Sequence, residues 1–165
     1  MKRSTLKKWT LALGLFAASV LSAATTAYEE LDWLELMPKA EVEALMDAQT
    51  QPMDHLAKGE QQGSFNTVPG MNGKRVKMAG YIVPIEQDDA GLVTEFFLVP
   101  YFGACVHVPP PPPNNIIFVK LSKPGPAVDM FNAYWIEGTL KVARFDNDVA
   151  STAYTMSADS VKLYE

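Results

Sequence analysis

Cysteine and histidine are scarce in this chain: its 165 residues include one cysteine, Cys105, and two histidines, His55 and His107. A lone cysteine excludes an internal disulfide. In an oxidising compartment it must be buried, bound to a metal, reactive, or paired with another chain. Long apolar runs are missing too. The most apolar stretch, Trp9 to Leu21, is thirteen residues, short of the roughly 20 that a membrane-spanning helix needs. Lys2, Arg3, Lys7 and Lys8 precede that stretch, and the small residues Ser22-Ala23-Ala24 and Thr25-Thr26-Ala27 follow it. Basic, then apolar, then small is the order of a secretory signal peptide, here residues 1–24, with cleavage after Ala24 or Ala27. The alternative is an uncleaved anchor. No cysteine stands at the cleavage region, which excludes lipid attachment there.

Basic residues become few once that segment is set aside. All four of its charged residues are basic, so 10 lysines and arginines remain against 19 acids, a net charge of −9. Such a chain has no electrostatic footprint for nucleic acid or an anionic membrane surface. It suits a soluble periplasmic protein, with no stable membrane insertion after signal removal, or one that handles cations.

What is present is mostly β patterning. Pro38 to about Gln49 reads as one amphipathic helix, with Val42, Leu45 and Met46 at helical spacing. Residues 28–72 therefore hold a helix and a polar connector, Gln51 to Asn72, in which His55 falls. Beyond Gly73 apolar and polar residues alternate. Lys74 to Glu86 predicts a strand with Val76, Met78, Gly80 and Ile82 on one face, and Gly80 predicts a bulge or sharp bend. Val93 to Val99, apolar on both faces, predicts a deeply covered strand. Ile116 to Leu121, Tyr134 to Phe145 (Ile136, Gly138, Leu140 and Val142 inward) and Ala153 to Leu163, broken near Asp159, complete five strands. The fold class expected is mainly β: a small five-stranded, partly open OB-like barrel over residues 73–165, with one N-terminal amphipathic helix. An open antiparallel sheet covered by the helix is the alternative.

The chemistry concentrates in Val99 to Phe118, VPYFGACVHVPPPPPNNIIF. Cys105 and His107 are two apart, which in an extended segment puts both side chains on one face. Thiolate beside imidazole is half a site for Zn2+ or, alternatively, Cu+. Zinc normally takes four ligands, and the remaining candidates are His55, the carboxylates Glu86 and Glu95, or a partner chain. The structural alternative is a buried, inert cysteine beside a hydrogen-bonded histidine. A third reading, nucleophilic thiol chemistry, lacks the flanking signature of a known cysteine enzyme, so enzymatic activity is not the expectation. The prolines Pro109 to Pro113 form a stiff left-handed rod. That rod either packs on neighbouring aromatics or is offered to a partner together with Tyr101 and Asn114. Asn114-Asn115 is expected to satisfy backbone groups as the chain turns back into a strand. The acids Glu86, Asp88 and Asp89 read as a solvated turn, and Asp146-Asn147-Asp148 as a hairpin turn.

GKRVKMAGYIVPIE at 73–86, EFFLVPYFGACVHVPPPPPNN at 95–115 and YWIEGTL at 134–140 together resemble a family of small exported bacterial proteins of unknown function. That family is marked by Gly-Ala-Cys-x-His-x-Pro-Pro-Pro-Pro-x-Asn. Some members are lipid-anchored, and some are encoded beside exporter-type ATP-driven transport systems and zinc-responsive transport genes. The resemblance implies a role in periplasmic metal or envelope traffic, with an envelope transport or metal-trafficking protein as partner. It carries over Tyr101, Gly103, Cys105, His107, Pro109, Pro110, Pro111, Pro112 and Asn114. Asn114-Asn115 departs from the family's usual Asn-Gln.

Overall fold

The computed structural model of the protein describes residues 27–48, 61–104 and 110–165. Among the described residues there are six strands, β1 (Glu29–Glu30), β2 (Arg75–Gln87), β3 (Val93–Val99), β4 (Ile117–Leu121), β5 (Ala133–Asp146) and β6 (Ser151–Leu163), and one α-helix, α1 (Lys39–Ala48), between β1 and β2. Helix and strand bounds fall within two residues of those expected from the alternation. The predicted signal peptide lies outside the described residues, and no described helix is long and apolar enough to cross a membrane.

Five of the strands close a barrel in the order β2-β3-β4-β6-β5, with β5 returning to β2. Closure depends on the length of β2. Its first half, Arg75 to Tyr81, pairs with β5, and its second half, Tyr81 to Gln87, pairs with β3. All barrel pairings are antiparallel except β4 with β6. The fold is therefore the mainly β one expected, a small five-stranded OB-like barrel with one helix, its ring completed by β5 on β2, and the open-sheet alternative falls.

Alternation decides the core. Val76, Met78, Gly80 and Ile82 of β2 face inward with Phe96 and Leu98 of β3, Ile117 and Val119 of β4, Ile136 and Leu140 of β5, and Tyr154 and Met156 of β6. The other face of β3 is covered as well. Phe97 and Val99 join Ile116, Phe118, Ala104 and Ala150 in a second apolar cluster outside the barrel. There the rings of Phe118 and Phe145 stack with centroids 3.7 Å apart.

Three local expectations are corrected. Gly80 carries no bulge, because its ladder with β5 is unbroken. Its need is close approach: a Cβ there would lie 2.7 Å from the Val99 carbonyl oxygen and 2.9 Å from Trp33. The irregularity in β2 falls at Pro84 to Gln87 instead. Val142 is exposed rather than inward, since β5 slips register between Val142 and Phe145 as it leaves the barrel. β6 runs unbroken past Asp159, which is skipped in the ladder with β5 as a bulge residue.

The acidic segment before the helix packs on the barrel. β1 pairs parallel with Val76 and Lys77, extending β2 where β3 does not reach. A 3-10 turn at Trp33–Leu36 follows, closed by a capping box between Asp32 and Glu35. The Trp33 indole donates to the Ala79 carbonyl at 2.7 Å. Tyr154, fully buried in the barrel wall, donates its hydroxyl to the Leu36 carbonyl and accepts from the Val68 amide, both at 2.8 Å.

Candidate functional site

The loop between β3 and β4 leaves the barrel beside the outer apolar cluster. Tyr101 and Phe102 are exposed, and Gly103 takes a left-handed conformation with φ 81°. Ala104 is fully buried in the outer cluster with Val99. A side chain at Gly103 would be strained, so glycine sets the turn that returns the chain to the barrel before Cys105. Phe102 stacks on Phe131 at 5.4 Å and meets Tyr81 edge-on at 5.9 Å.

Cys105, His107 and Pro109 lie outside the described residues, as does His55. The described chain resumes at Pro110. Pro111 and Pro113 are buried, while Pro110 and Pro112 are half-buried. Pro112 holds the extended conformation of a polyproline rod, φ −52° and ψ 148°. Its carbonyl accepts from the Asn115 amide at 2.7 Å as the chain winds into a 3-10 turn, Pro113–Asn115.

The rod is seated on the connector. Gly63, at φ 110°, lies so close that a Cβ would stand 2.6 Å from Pro112 Cβ. The Gln61 side chain donates to the carbonyls of Pro111 and Ser151, both at 2.9 Å, and accepts from the Ser151 amide at 2.8 Å. Gln61 thereby ties the proline segment to the start of β6.

Asn114 is the foot of the loop. It is fully buried, and its Nδ2 donates to Glu41 Oε2 at 2.7 Å and to the Asn66 carbonyl at 2.9 Å. Ser64 Oγ donates to the same carboxylate at 2.8 Å and 2.9 Å, and Asn66 Nδ2 at 2.6 Å. Burial pushes the Glu41 carboxyl up, but bonds from Asn66, Ser64 and Asn114 together hold it below the usual glutamate range. Asn114 Oδ1 is buried with no partner among the described residues. Asn115 donates to the Trp33 carbonyl at 2.9 Å. Both asparagines therefore satisfy backbone carbonyls, as expected, but carbonyls distant in sequence.

Glu86 stands elsewhere. It pairs across the ladder with Glu95, five residues along β2 from Tyr81, the partner of Val99 where the loop departs. At strand rise that is roughly 16 Å. Among the described residues no group of three or more histidine, cysteine or acidic side chains is placed to hold a metal ion. Asp88 Oδ1 caps its own turn by accepting from the Ala90 and Leu92 amides, and Asn147 does the same for Val149 and Ala150. Both acidic clusters are turns, as read from the sequence. Gln61, Ser64 and Asn66 were missed as site residues because a polar connector without periodicity reads as solvated chain, and Glu41 because an acid on the polar side of an amphipathic helix reads as solvated.

The fold and loop define a class: a small closed barrel that carries one long inter-strand loop, pinned at both ends, next to an exposed aromatic ledge. The chain belongs to the DUF3299 family of proteins of unknown function, whose model matches residues 33–163. It is similar to a DUF3299 family protein from Pseudomonas aeruginosa PAO1 whose crystal structure is known. The two are 38% identical, with a TM-score of 0.68 and coverage of 84% of this chain and 97% of that one. No curated protein matches it.

Proposed function

We propose that this chain is an exported periplasmic accessory protein that binds a soft transition metal through Cys105 and His107. Zinc is the first choice and copper(I) the second, and the binding serves metal or envelope transport. The observation that carries the reading is the anchoring of the segment that bears the two residues. Ala104 is buried at its start, and Pro111, Pro113 and Asn114 are buried at its end. A free loop would spend much of its binding free energy on being ordered. One fixed at both ends loses less.

Two ligands do not complete a zinc site. With Glu86 at the far end of its ladder, His55 or a second chain is the better source of the others. Native mass spectrometry of protein purified without chelator tests the proposal. A bound metal is expected, and Cys105→Ser and His107→Ala should each abolish it. Metal retained by both variants places the ligands elsewhere and sinks the reading.

A metal-free adaptor is favoured by a different observation. Tyr101, Phe102, Met130 and Phe131 are 42%, 48%, 49% and 74% exposed and form an apolar ledge next to the loop. Under that reading a Phe102→Ser/Phe131→Ser variant loses an envelope partner that the metal-site variants keep, with an unchanged thermal midpoint.

A further inference from the structure

On the outside of the barrel, at the edge of the outer apolar cluster, β4, β6 and β5 form a groove of about 440 Å³. We infer that this groove binds a soluble phosphomonoester whose organic part is apolar or aromatic. The register sets its residues in rows. Phe118 of β4, Thr155 of β6 and Lys141 of β5 are cross-strand neighbours, and Lys120 pairs with Ser157 two residues on. Residues two apart share a face, so both lysines and both hydroxyls point outward from the same patch. Lys120 and Lys141 are diagonal, roughly 12 Å apart by strand spacing and rise, with the Thr155 and Ser157 hydroxyls between them.

The third cation, Arg144, sits in the register slip between Val142 and Phe145, the kind of irregularity that re-aims a side chain. The stacked Phe118 and Phe145 rings supply an apolar floor. Three of the nine lysines and arginines among the described residues line this groove, and no acid does. Two acids stand beside it: Glu95 pairs with Lys120, and Asp146 takes the Arg144 fork at 2.7 Å and 2.9 Å. Lys120 and both members of the Arg144 pair are exposed, although Glu95 is largely covered, and water screens such pairs, so a dianion competes for the two cations. Lys141 has no acidic partner among the described residues. A tetrahedral phosphate uses ammonium and hydroxyl donors arriving from several directions, and the ring floor accounts for an apolar substituent. The acidity of the rest of the chain opposes an anionic membrane, which is why a soluble ligand is assigned.

Calorimetric titration of the full chain with phenyl phosphate, beside inorganic phosphate, tests this. Phenyl phosphate should bind saturably with Kd below about 1 mM and more tightly than inorganic phosphate. Lys141→Gln should weaken it about tenfold, the loss of one charge-assisted bond, with an unchanged melting temperature. Thr155→Ala gives a second, uncharged readout and should weaken it less. Absence of saturable binding overturns the proposal. So does equal binding by Lys141→Gln, or binding to phosphatidylglycerol vesicles with none to phenyl phosphate. None of these outcomes depends on whether Cys105 and His107 hold a metal.

Discussion

Asn114 shows how one buried side chain can hold a loop. Its two donors end on a carboxylate and a carbonyl, and a bond to a charged acceptor is worth more than a neutral one. Asn114→Ala removes both and leaves the Asn66 carbonyl and part of the Glu41 charge unmatched. The expected loss is about 2–4 kcal/mol in denaturant unfolding. Asn114→Asp should be worse at neutral pH, because it sets a second carboxylate against Glu41. The same cluster makes stability depend on pH. Glu41 titrates below its ordinary range when folded, so its contribution is complete above the ordinary glutamate range and is lost as pH falls through the folded value. Stability should therefore decline on acidification below about 4.5, and Glu41→Gln should flatten that part of the profile. An unchanged slope in Glu41→Gln would mean that Glu137 and Asp146, held low by their own partners, govern the acid limb instead.

Elements differ in how far the sequence declares them. Val93 to Val99 was bounded to the residue, because an apolar run on both faces has one physical solution here, a strand covered by the core inside and a second cluster outside. The two-residue β1 and the 3-10 turn at Trp33–Leu36 had no such signal: neither is long enough to show a period. The connector was opaque for a related reason. Gln61, Gly63, Ser64 and Asn66 matter through what they touch, and their partners are dozens of residues away. Gly63 tests that reading of the connector. An alanine there must adopt φ 110° and push against Pro112, so Gly63→Ala should cost about 1–3 kcal/mol and raise hydrogen exchange at Asn115. Tyr154 tests the N-terminal cover in the same way. Tyr154→Phe leaves the Leu36 carbonyl and the Val68 amide without their partner. It should cost about 2–3 kcal/mol and speed exchange at Val68 more than at Val119, whose ladder it does not touch. Equal acceleration at both would mean that the segment and barrel open as one unit.

For the whole molecule, barrel closure turns a local event in the loop into a change in global stability. The loop begins from β3 and ends at β4, and its foot is tied to α1 through Glu41, to the connector through Asn66 and Gln61, and to β6 through Ser151. A ligand that binds the folded loop and not the unfolded chain therefore stabilises the entire domain by mass action. Zinc at about 100 times its Kd should add about 2.7 kcal/mol, which for a domain of this size is a rise in Tm of about 5–10 °C. Chelator should reverse the rise. Cys105→Ser should show none of it, whereas Asn114→Ala, with thiol and imidazole intact but the foot released, should respond only at higher zinc. The comparison separates two ideas that a single melting curve would merge. If Cys105→Ser melts higher with zinc just as the parent does, the metal is held elsewhere on an acidic surface. If Asn114→Ala matches the parent at every zinc concentration, the metal site stands but the anchored loop contributes nothing to its affinity.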